Sequence, residues 1–233
     1  MRAEFSPDLM KDASVSVMTD FDGSSEVLLI SFAGVGIGVG VPYFEFLKIL
    51  RGVPVQKMFV RDVYKSWYHA GLKGLSANVD QSVEVLRGMI EESGARRVLT
   101  IGNSMGGYAA ILYGALLGAD EVLAFSPITF LNWKNRFRYL DLRPWIRYLW
   151  RSSVKNRKCY DLARIPGIKK PRIHIYFDGD YRTDTAHARH LAKAASNVQL
   201  HPCYIGGKHH VIKKLKEQGE LQGIIQSSIE NLY

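Results

Sequence analysis

Cysteine is scarce in this sequence, which has 233 residues and only two cysteines, Cys159 and Cys203. So small a number excludes a disulfide-stabilised scaffold, and the absence of any Cys-x-x-Cys or Cys/His cluster argues against a zinc site. No apolar run approaches the roughly 18 residues that a membrane-spanning helix needs. The opening residues, MRAEFSPDLMKD, contain no apolar core of a signal peptide. We therefore expect a cytoplasmic protein in a reducing compartment, without a membrane span.

A nucleotide-binding fingerprint is also missing. The stretch GVGIGVG (34–40) follows an apolar run, but the pattern G-x-G-x-x-G fits it in no register. The third glycine would fall on Val39, Val41 or Tyr43, none of which permits the close helix–strand packing that this glycine provides. The late stretch GGKHH (206–210) lacks the Ser or Thr that follows the lysine of a phosphate-binding loop. We expect neither an organic cofactor nor a metal ion.

Basic charge is abundant but unevenly distributed. The chain has a formal net charge of +9, yet residues 130–172 alone hold thirteen lysines and arginines against two acidic residues, Asp141 and Asp161. The rest of the chain is therefore slightly acidic. Such a local basic segment argues against a surface that coats nucleic acid, and it contains no recognisable nucleic-acid-binding module.

Apolar, β-branched runs alternate with helical patterns along the whole chain. The runs cover residues 15–18, 26–33, 53–60, 96–102, 121–126, 172–177 and 197–205. From the third onward they are nearly continuous, as in strands buried on both faces of a parallel sheet. Helical patterns cover residues 42–51, 76–94, 105–118, 184–196 and 214–232, the last of them interrupted near Gly219. This alternation predicts an α/β fold with a doubly wound, mostly parallel sheet, built as a single domain over residues 1–233.

The stretch 127–170 does not follow this alternation. It contains three of the four tryptophans of the chain, Trp133, Trp145 and Trp150. We interpret it as a helical lid inserted at the carboxyl edge of the sheet, where ligands bind in this architecture. Arg143, Arg147 and Arg151 recur at a helical spacing and would share one helix face. That face is either a solvated lid surface or a dock for an anionic partner, such as an acidic glycan, a phosphate-bearing carrier or an anionic lipid surface.

Residues 102–106, Gly-Asn-Ser-Met-Gly, stand between a predicted strand and an apolar predicted helix. The pattern G-x-S-x-G at such a junction is typical of a nucleophile elbow, whose sharp turn presents the hydroxyl of its serine, here Ser104. Glycine is needed at Gly102 and Gly106 because side chains there would collide within so tight a turn. The alternative is an ordinary tight turn, so the assignment depends on a base and an acid elsewhere in the chain.

The base is expected to be a histidine in the loop after the last predicted strand, from which it can reach back over the strand edges to the serine. Of the seven histidines, only His209 and His210 lie in that loop, within YIGGKHHVIKKL. We predict that His209 is the base because it follows the glycine-rich bend more closely. His210 remains the alternative.

Three aspartates compete for the role of the acid in the loop FDGDYRTDTAHA, which follows the sixth apolar run. Asp178 adjoins the strand and can simply end it. Asp184 precedes an alanine-rich helical run and resembles a helix N-cap. We predict Asp180, which lies just past the strand end and can orient an imidazole across the loop, with Asp184 as the alternative.

These motifs resemble those of the α/β-hydrolase family over nearly the whole chain. The resemblance rests on the stretches VLTIGNSMGGYAA, LLISFAGVG, YFDGDYRTD and GGKHH, and on the chain order of serine, aspartate and histidine. The acid loop of the family usually reads G-x-x-D, and Phe177 stands at the glycine position if Asp180 is the acid. The resemblance implies an oxyanion hole formed by the N–H of Met105 and by that of Gly34 or Val35.

The resemblance also implies a serine hydrolase, an esterase that cleaves an acyl ester through a covalent acyl-enzyme on Ser104. Its substrate would be a small-molecule or carrier-bound acyl group, neutral or anionic. The first alternative is an acyltransferase that uses the same covalent route and passes the acyl group to a sugar or an amine instead of water. The second alternative is a non-catalytic binding module on a hydrolase scaffold.

Overall fold

One sheet of eight strands lies at the centre of the part of the chain that the structure describes. The structure, a computed structural model, describes residues 2–4, 6–23, 25–36, 41–147, 149, 152, 154–209 and 211–233. The strands are β1 (Arg2–Glu4), β2 (Val17–Asp20), β3 (Val27–Phe32), β4 (Gln56–Val60), β5 (Arg97–Asn103), β6 (Glu121–Phe125), β7 (Arg172–Asp178) and β8 (Val198–Cys203). Their order across the sheet is β1-β2-β4-β3-β5-β6-β7-β8, and all neighbours are parallel except β2 and β4.

Burial explains why the central strands are continuous apolar runs. Every residue of β3 and of β6 is buried, because other parts of the chain cover both faces of the sheet. All seven predicted strands are present, which confirms the doubly wound, mostly parallel sheet. The short β1 was not predicted, since its residues, Arg-Ala-Glu, carry no apolar pattern.

The α-helices of the described residues are α1 (Val79–Ser93), α2 (Met105–Leu117), α3 (Trp133–Tyr139), α4 (Arg182–Ala194), α5 (Val211–Glu217) and α6 (Glu220–Glu230). Gly94 ends α1 in the left-handed conformation, with a φ of 68°. Gly219, with a φ of 76°, separates α5 from α6 at the predicted interruption. None of the described helices is long and apolar enough to cross a membrane.

The helices divide between the two faces of the sheet. Helices α1, α2 and α4 pack on one face, in an apolar cluster that includes Val83, Tyr108 and Leu191. Helices α5 and α6 pack on the other face, where Val211 and Leu221 are buried. The loops after β3, β5, β7 and β8 all leave the sheet at the carboxyl ends of parallel strands. These loops carry the predicted site residues, at the edge where such sheets bind ligands.

The helix predicted over residues 42–51 is wrong. The chain forms turns there between β3 and β4, and Phe46 adopts a left-handed φ of 65°. A residue in that conformation interrupts a right-handed helix. The turns nevertheless bury Phe44 and Leu50 in the core, so the apolar spacing that suggested a helix face has a different structural cause.

Where the structure describes the segment 127–170, the helices with defined bounds are short. Its described residues include one short α-helix, α3, and one-turn 3-10 helices at Pro144–Ile146, Arg157–Cys159 and Leu162–Arg164. Trp133, at the start of α3, exposes 80% of its surface. Four residues of the segment lie outside the described residues: Tyr148, Trp150, Arg151 and Ser153. A lid function for this segment therefore stays a prediction.

Candidate active site

Ser104 lies at the turn between β5 and α2 in a strained backbone conformation. Its φ of 55° and ψ of −114° are uncommon for a residue with a side chain. A methyl group at Gly102 would overlap the carbonyl of Gly106, and one at Gly106 would overlap the carbonyl of Phe32. The Ser104 N–H donates to the Phe125 carbonyl at 2.9 Å, which fixes the turn against β6. The geometry of the turn therefore requires both flanking glycines.

A continuous chain of hydrogen bonds connects Ser104, His209 and Asp184. The Ser104 Oγ lies 3.0 Å from His209 Nε2, and His209 Nδ1 lies 2.8 Å from Asp184 Oδ1 and 2.9 Å from Oδ2. The Asp184 carboxylate is buried, whereas the imidazole is 20% exposed. A proton on Nδ1 that points at the carboxylate leaves Nε2 able to accept the hydroxyl proton, as a general base must. His210, the alternative base, lies outside the described residues.

The acid beside His209 is Asp184 rather than the predicted Asp180. Asp180 Oδ2 instead accepts a hydrogen bond from the Gly206 N–H at 3.2 Å. Helix α4 begins before Asp184, so this residue lies in the first helical turn and does not act as the N-cap that its sequence context suggested. Because a helical side chain leans toward the N-terminus of its helix, Asp184 reaches the neighbouring loop after β8.

The two other candidate aspartates brace the loop that carries His209. Asp178 accepts hydrogen bonds from the Lys208 N–H at 2.6 Å and from the Asp180 N–H at 2.9 Å. Asp180 in turn holds Gly206 in the same loop. These bonds fix the backbone immediately before the histidine, which explains the acidic composition of the loop after β7.

Arg143, from the segment 127–170, packs on Asp184. Its Nη1 donates to Asp184 Oδ1 at 3.1 Å, and its Nε donates to Asp141 Oδ1 at 2.8 Å. Its side chain is only 11% exposed, so two carboxylates enclose the guanidinium charge. Burial opposes this charge, but the hydrogen bond and the charge of Asp141 outweigh burial and raise the pKa of Arg143. Nη1 also approaches His209 Nδ1 at 3.4 Å, a contact between two donors when Nδ1 carries its proton.

The predicted arginine face is therefore wrong at Arg143, which is buried against an acid. Arg147 is exposed, and Arg151 lies outside the described residues. A 3-10 helix at Pro144–Ile146 directly follows Arg143.

Asp141 balances the charge of Arg143 and is itself held by a buried histidine. Asp141 Oδ2 lies 3.0 Å from His187 Nε2. Burial would raise the pKa of Asp141, but hydrogen bonds from His187 and Arg143 hold it well below its usual range. Burial lowers the pKa of His187 to about 4, so this imidazole is neutral at neutral pH. The charge of Asp184 thus remains available to stabilise a protonated His209.

The predicted oxyanion donors lie on either side of the elbow. Met105 is the first residue of α2, where backbone N–H groups have no intrahelical acceptor. Gly34 follows β3 and lies against the elbow, since a Cβ placed on it would be 3.2 Å from the Asn103 carbonyl oxygen. The Gly34 N–H donates to Glu45 Oε1 at 3.1 Å. Val35, the alternative donor, is half-buried.

Glu45 contacts a predicted oxyanion donor, and the sequence analysis did not identify it. Burial raises the pKa of its carboxyl group to about 7, although the hydrogen bond from Gly34 favours the ionised form. The group therefore changes charge near neutral pH beside a predicted oxyanion donor. In its ionised form it would both occupy that donor and repel a nearby oxyanion.

Sequence reasoning placed Arg143 on a different surface and missed Glu45, because the contacts that bring them to the site join separate segments of the chain. Arg143 and Asp184 are separated by 41 residues, and neither lies in a recognisable motif with the other. Glu45 stood within a stretch that resembled a helix face, so its carboxylate had no apparent link to the glycine loop. In the described residues, no group of three or more His, Cys, Asp or Glu side chains could hold a metal ion.

Comparisons with known proteins find similarity in structure but not in sequence. No protein-family model and no curated protein matches the sequence. The capsule O-acetyltransferase of Neisseria meningitidis serogroup A has a TM-score of 0.65 and 15% identity, over 90% of each chain. Carboxyl esterase 2 of Tuber melanosporum has a TM-score of 0.62 and 16% identity, over 93% of this chain and 82% of its own. The Glycosylation Associate Protein complex of Streptococcus agalactiae has a TM-score of 0.65 and 14% identity, over 92% of this chain and 44% of its own.

Similarity at such low identity concerns the fold rather than the activity. The shared architecture agrees with the features described above, namely a mostly parallel eight-stranded sheet and a strand–elbow–helix unit at its centre. The chain therefore has the α/β-hydrolase fold.

Proposed function

We propose that this protein is a serine hydrolase that cleaves an acyl ester through a covalent acyl-enzyme. The observation that carries the proposal is the unbroken hydrogen-bond chain from Ser104 through His209 to Asp184, with distances of 3.0 Å and 2.8 Å. The three residues come from the ends of three different elements, and a nucleophile, a base and an orienting acid are the groups that this chemistry needs.

In the first half-reaction, Ser104 Oγ bonds to the acyl carbon while His209 Nε2 takes the hydroxyl proton. The carbonyl oxygen gains a negative charge, which the N–H groups of Met105 and of Gly34 or Val35 would stabilise. The bond between the acyl carbon and the alcohol oxygen then breaks. The imidazolium returns its proton to the departing alcohol, and the acyl group remains on the serine.

In the second half-reaction, water attacks the acyl-enzyme and His209 takes one of its protons. The tetrahedral intermediate expels Ser104 Oγ, which regains the proton from the imidazolium, and the carboxylic acid is released. Asp184 keeps the Nδ1 proton in place and stabilises the imidazolium without taking up a proton itself.

Acyl transfer is the second candidate function. It shares the first half-reaction, and a sugar hydroxyl or an amine would then attack the acyl-enzyme in place of water. The likeness to the capsule O-acetyltransferase supports this candidate, and one structure of that protein is a complex with CoA. Hydrolysis and transfer differ in how well the site excludes water from the acyl-enzyme.

Labelling with a fluorophosphonate probe tests the covalent mechanism. Mass spectrometry should locate the adduct on the peptide that contains Ser104, and the Ser104→Ala variant should remain unlabelled. Folded protein that is not labelled would favour the non-catalytic binding module. Hydrolysis of 4-nitrophenyl esters of increasing chain length then defines the acyl preference. Added sugar or amine acceptors that divert the acyl group from free acid to a new ester or amide would identify a transferase.

A further inference from the structure

A cleft of about 480 Å³ opens beside the elbow. Its lining includes Asn103, which directly precedes Ser104, and Glu45, the partner of a predicted oxyanion donor. Ile212, from the helix that follows His209, also lines the cleft. The volume is within the range of about 300–1,000 Å³ that is common for small-molecule sites. The cleft adjoins Ser104 through Asn103, and it is large enough to hold part of a substrate whose ester carbonyl lies at the serine.

The floor of the cleft is apolar. Phe46, Leu47, Ile49 and Ile212 line it, and each of these side chains is only half-buried. Their remaining apolar surface is in contact with water, so an apolar group that covered it would bind favourably. A hydrocarbon stem of a few carbon atoms has the chemistry that this floor would accept.

The rim of the cleft is positively charged. Lys48, Lys213 and Lys216 line it, and among the described residues that line the cleft only Glu45 is acidic. Lys213 Nζ lies 3.8 Å from Glu217 Oε1, an exposed ion pair within α5 that contributes little. In α5, Val211 and Leu215 are buried against the core. The lysines of this helix therefore lie toward the cleft and the solvent. An anionic group on a bound molecule would therefore meet complementary charge at the rim.

We propose that this cleft binds the acyl substrate and that the substrate carries a carboxylate or a phosphate at the end of an apolar stem. The proposal rests on the proposed function of Ser104. The ester carbonyl lies at the serine, the stem covers the apolar floor, and the anionic oxygens lie near Lys48 and Lys216. The cleft, rather than an arginine face in the segment 127–170, thus selects for negative charge.

Two matched substrate pairs test this proposal and locate the charge. In the first pair the charge is on the acyl side. The two substrates are mono(4-nitrophenyl) adipate, which has a free carboxylate, and its neutral methyl ester. In the second pair the charge is on the leaving group, with butyrate esters of 4-hydroxyphenyl phosphate and of 4-methoxyphenol. At low salt, kcat/KM should favour the anionic member of one pair by about 3- to 10-fold, as expected for a few exposed ion pairs. The pair that shows the preference identifies the side of the ester that carries the charge. No preference in either pair would overturn the proposal.

Lysine variants show whether the preference arises in the cleft. The double variant Lys48→Gln/Lys216→Gln should reduce the preference to about one. The control Lys169→Gln/Lys170→Gln changes the net charge equally, on exposed lysines just before β7, and should retain the preference. Added salt should weaken the preference of the unaltered protein, because the Debye length falls from about 30 Å at 0.01 M to about 8 Å at 0.15 M. If the variant with both Lys48 and Lys216 replaced keeps the anionic preference, that preference arises at another surface of the protein.

The same measurements separate this proposal from the proposed function. If the neutral esters are hydrolysed and Ser104→Ala abolishes their hydrolysis, the serine chemistry stands even when no anionic preference appears. If no ester is hydrolysed, the cleft is tested by binding alone, with calorimetric titration of phenyl phosphate. If the unaltered protein binds phenyl phosphate and the Lys48→Gln/Lys216→Gln variant does not, the proposal of an anion site stands. If both proteins bind it equally, the proposal is excluded.

Discussion

At the scale of single residues, the site depends on which carboxylate faces His209. Asp180 and Asp184 lie in the same short loop-and-helix segment, and only the helical register of α4 directs the second toward the imidazole. The first is held by the backbone of the loop that contains Gly206. Neighbouring acids of the same type thus have different structural roles.

We predict that Asp184→Asn lowers kcat by about 10³- to 10⁴-fold, because an amide cannot hold the correct His209 tautomer or stabilise the imidazolium. Asp180→Asn is the matched control, and we expect it to change kcat by only a few-fold because its side chain contacts Gly206 instead. Steady-state kinetics with a short-chain 4-nitrophenyl ester measures both effects. The reverse ranking would return Asp180 to the role of the acid.

Arg143 should position Asp184, because its guanidinium is shared between Asp184 and Asp141. Arg143→Met leaves two carboxylates without their common cation, and we expect kcat to fall about 10²-fold while KM changes little. Arg143→Lys retains the charge without the planar fork and should recover part of the activity. The exposed Arg138→Met on α3 is the control and should behave like the unaltered protein. A change confined to KM would instead place Arg143 in substrate binding.

Glu45 should make activity depend on pH near neutrality. Its raised pKa of about 7 means that its charge appears as the pH increases through that value. We predict that the kcat/KM of Glu45→Gln relative to the unaltered protein is constant below about pH 6 and then rises about 3- to 10-fold by pH 8. The reason is that only the unaltered protein gains a negative charge beside the Gly34 N–H. A ratio that does not vary with pH would show that this carboxylate does not influence the oxyanion.

At the scale of elements, the turn at the elbow has no space for a side chain at either of its two glycines. A methyl group at Gly102 would overlap the Gly106 carbonyl, so we predict that Gly102→Ala destabilises the protein by about 2–4 kcal/mol. Gly88→Ala, on the exposed side of α1 where nothing lies within 4 Å, should instead stabilise it by about 0.5–1 kcal/mol. Urea unfolding of both variants measures the two free energies. Equal effects would mean that the elbow tolerates a side chain at this position.

The segment between β6 and β7 is the element that the sequence described least well. Aromatic and basic residues at a helical spacing predicted a lid helix, and the described residues form α3, one-turn 3-10 helices and α-helical conformation at Arg147 and Leu149. Arg143 is not exposed on a helix face, because its hydrogen bonds to a buried carboxylate are more favourable than its hydration would be. Tertiary contacts of this kind override local spacing.

At the scale of the whole molecule, Arg61 joins segments that are far apart along the chain. It is fully buried and donates to the carbonyls of Met10 at 2.6 Å, Val15 at 2.8 Å and Pro42 at 3.1 Å. We predict that Arg61→Met lowers the free energy of unfolding by about 3–5 kcal/mol, because several buried carbonyls lose their donor. The exposed Arg51→Met should change it by less than about 0.5 kcal/mol. Urea unfolding compares the two, and similar values would contradict the anchoring role.

Strands and the elbow could be predicted from the sequence because their signals are local. Strands that are buried on both faces, such as β3 and β6, are continuous apolar runs, and each of the seven predicted runs became a strand. The glycines around Ser104 are required by contacts within one turn, so the pattern itself predicts the turn. The helix expected at 42–51 failed because an apolar spacing does not show whether a residue such as Phe46 has a left-handed conformation.

The sequence by itself determined the α/β sheet, the turn at Ser104 and the loop from which a histidine can reach it. Only the tertiary structure decided that Asp184 contacts His209, that Arg143 is buried against the same acid and that Glu45 accepts a hydrogen bond from the Gly34 N–H. These partners are 25, 41 and 11 residues apart along the chain. A local pattern records the conformation of its own segment, whereas contacts across such separations depend on how the packed elements orient their loops.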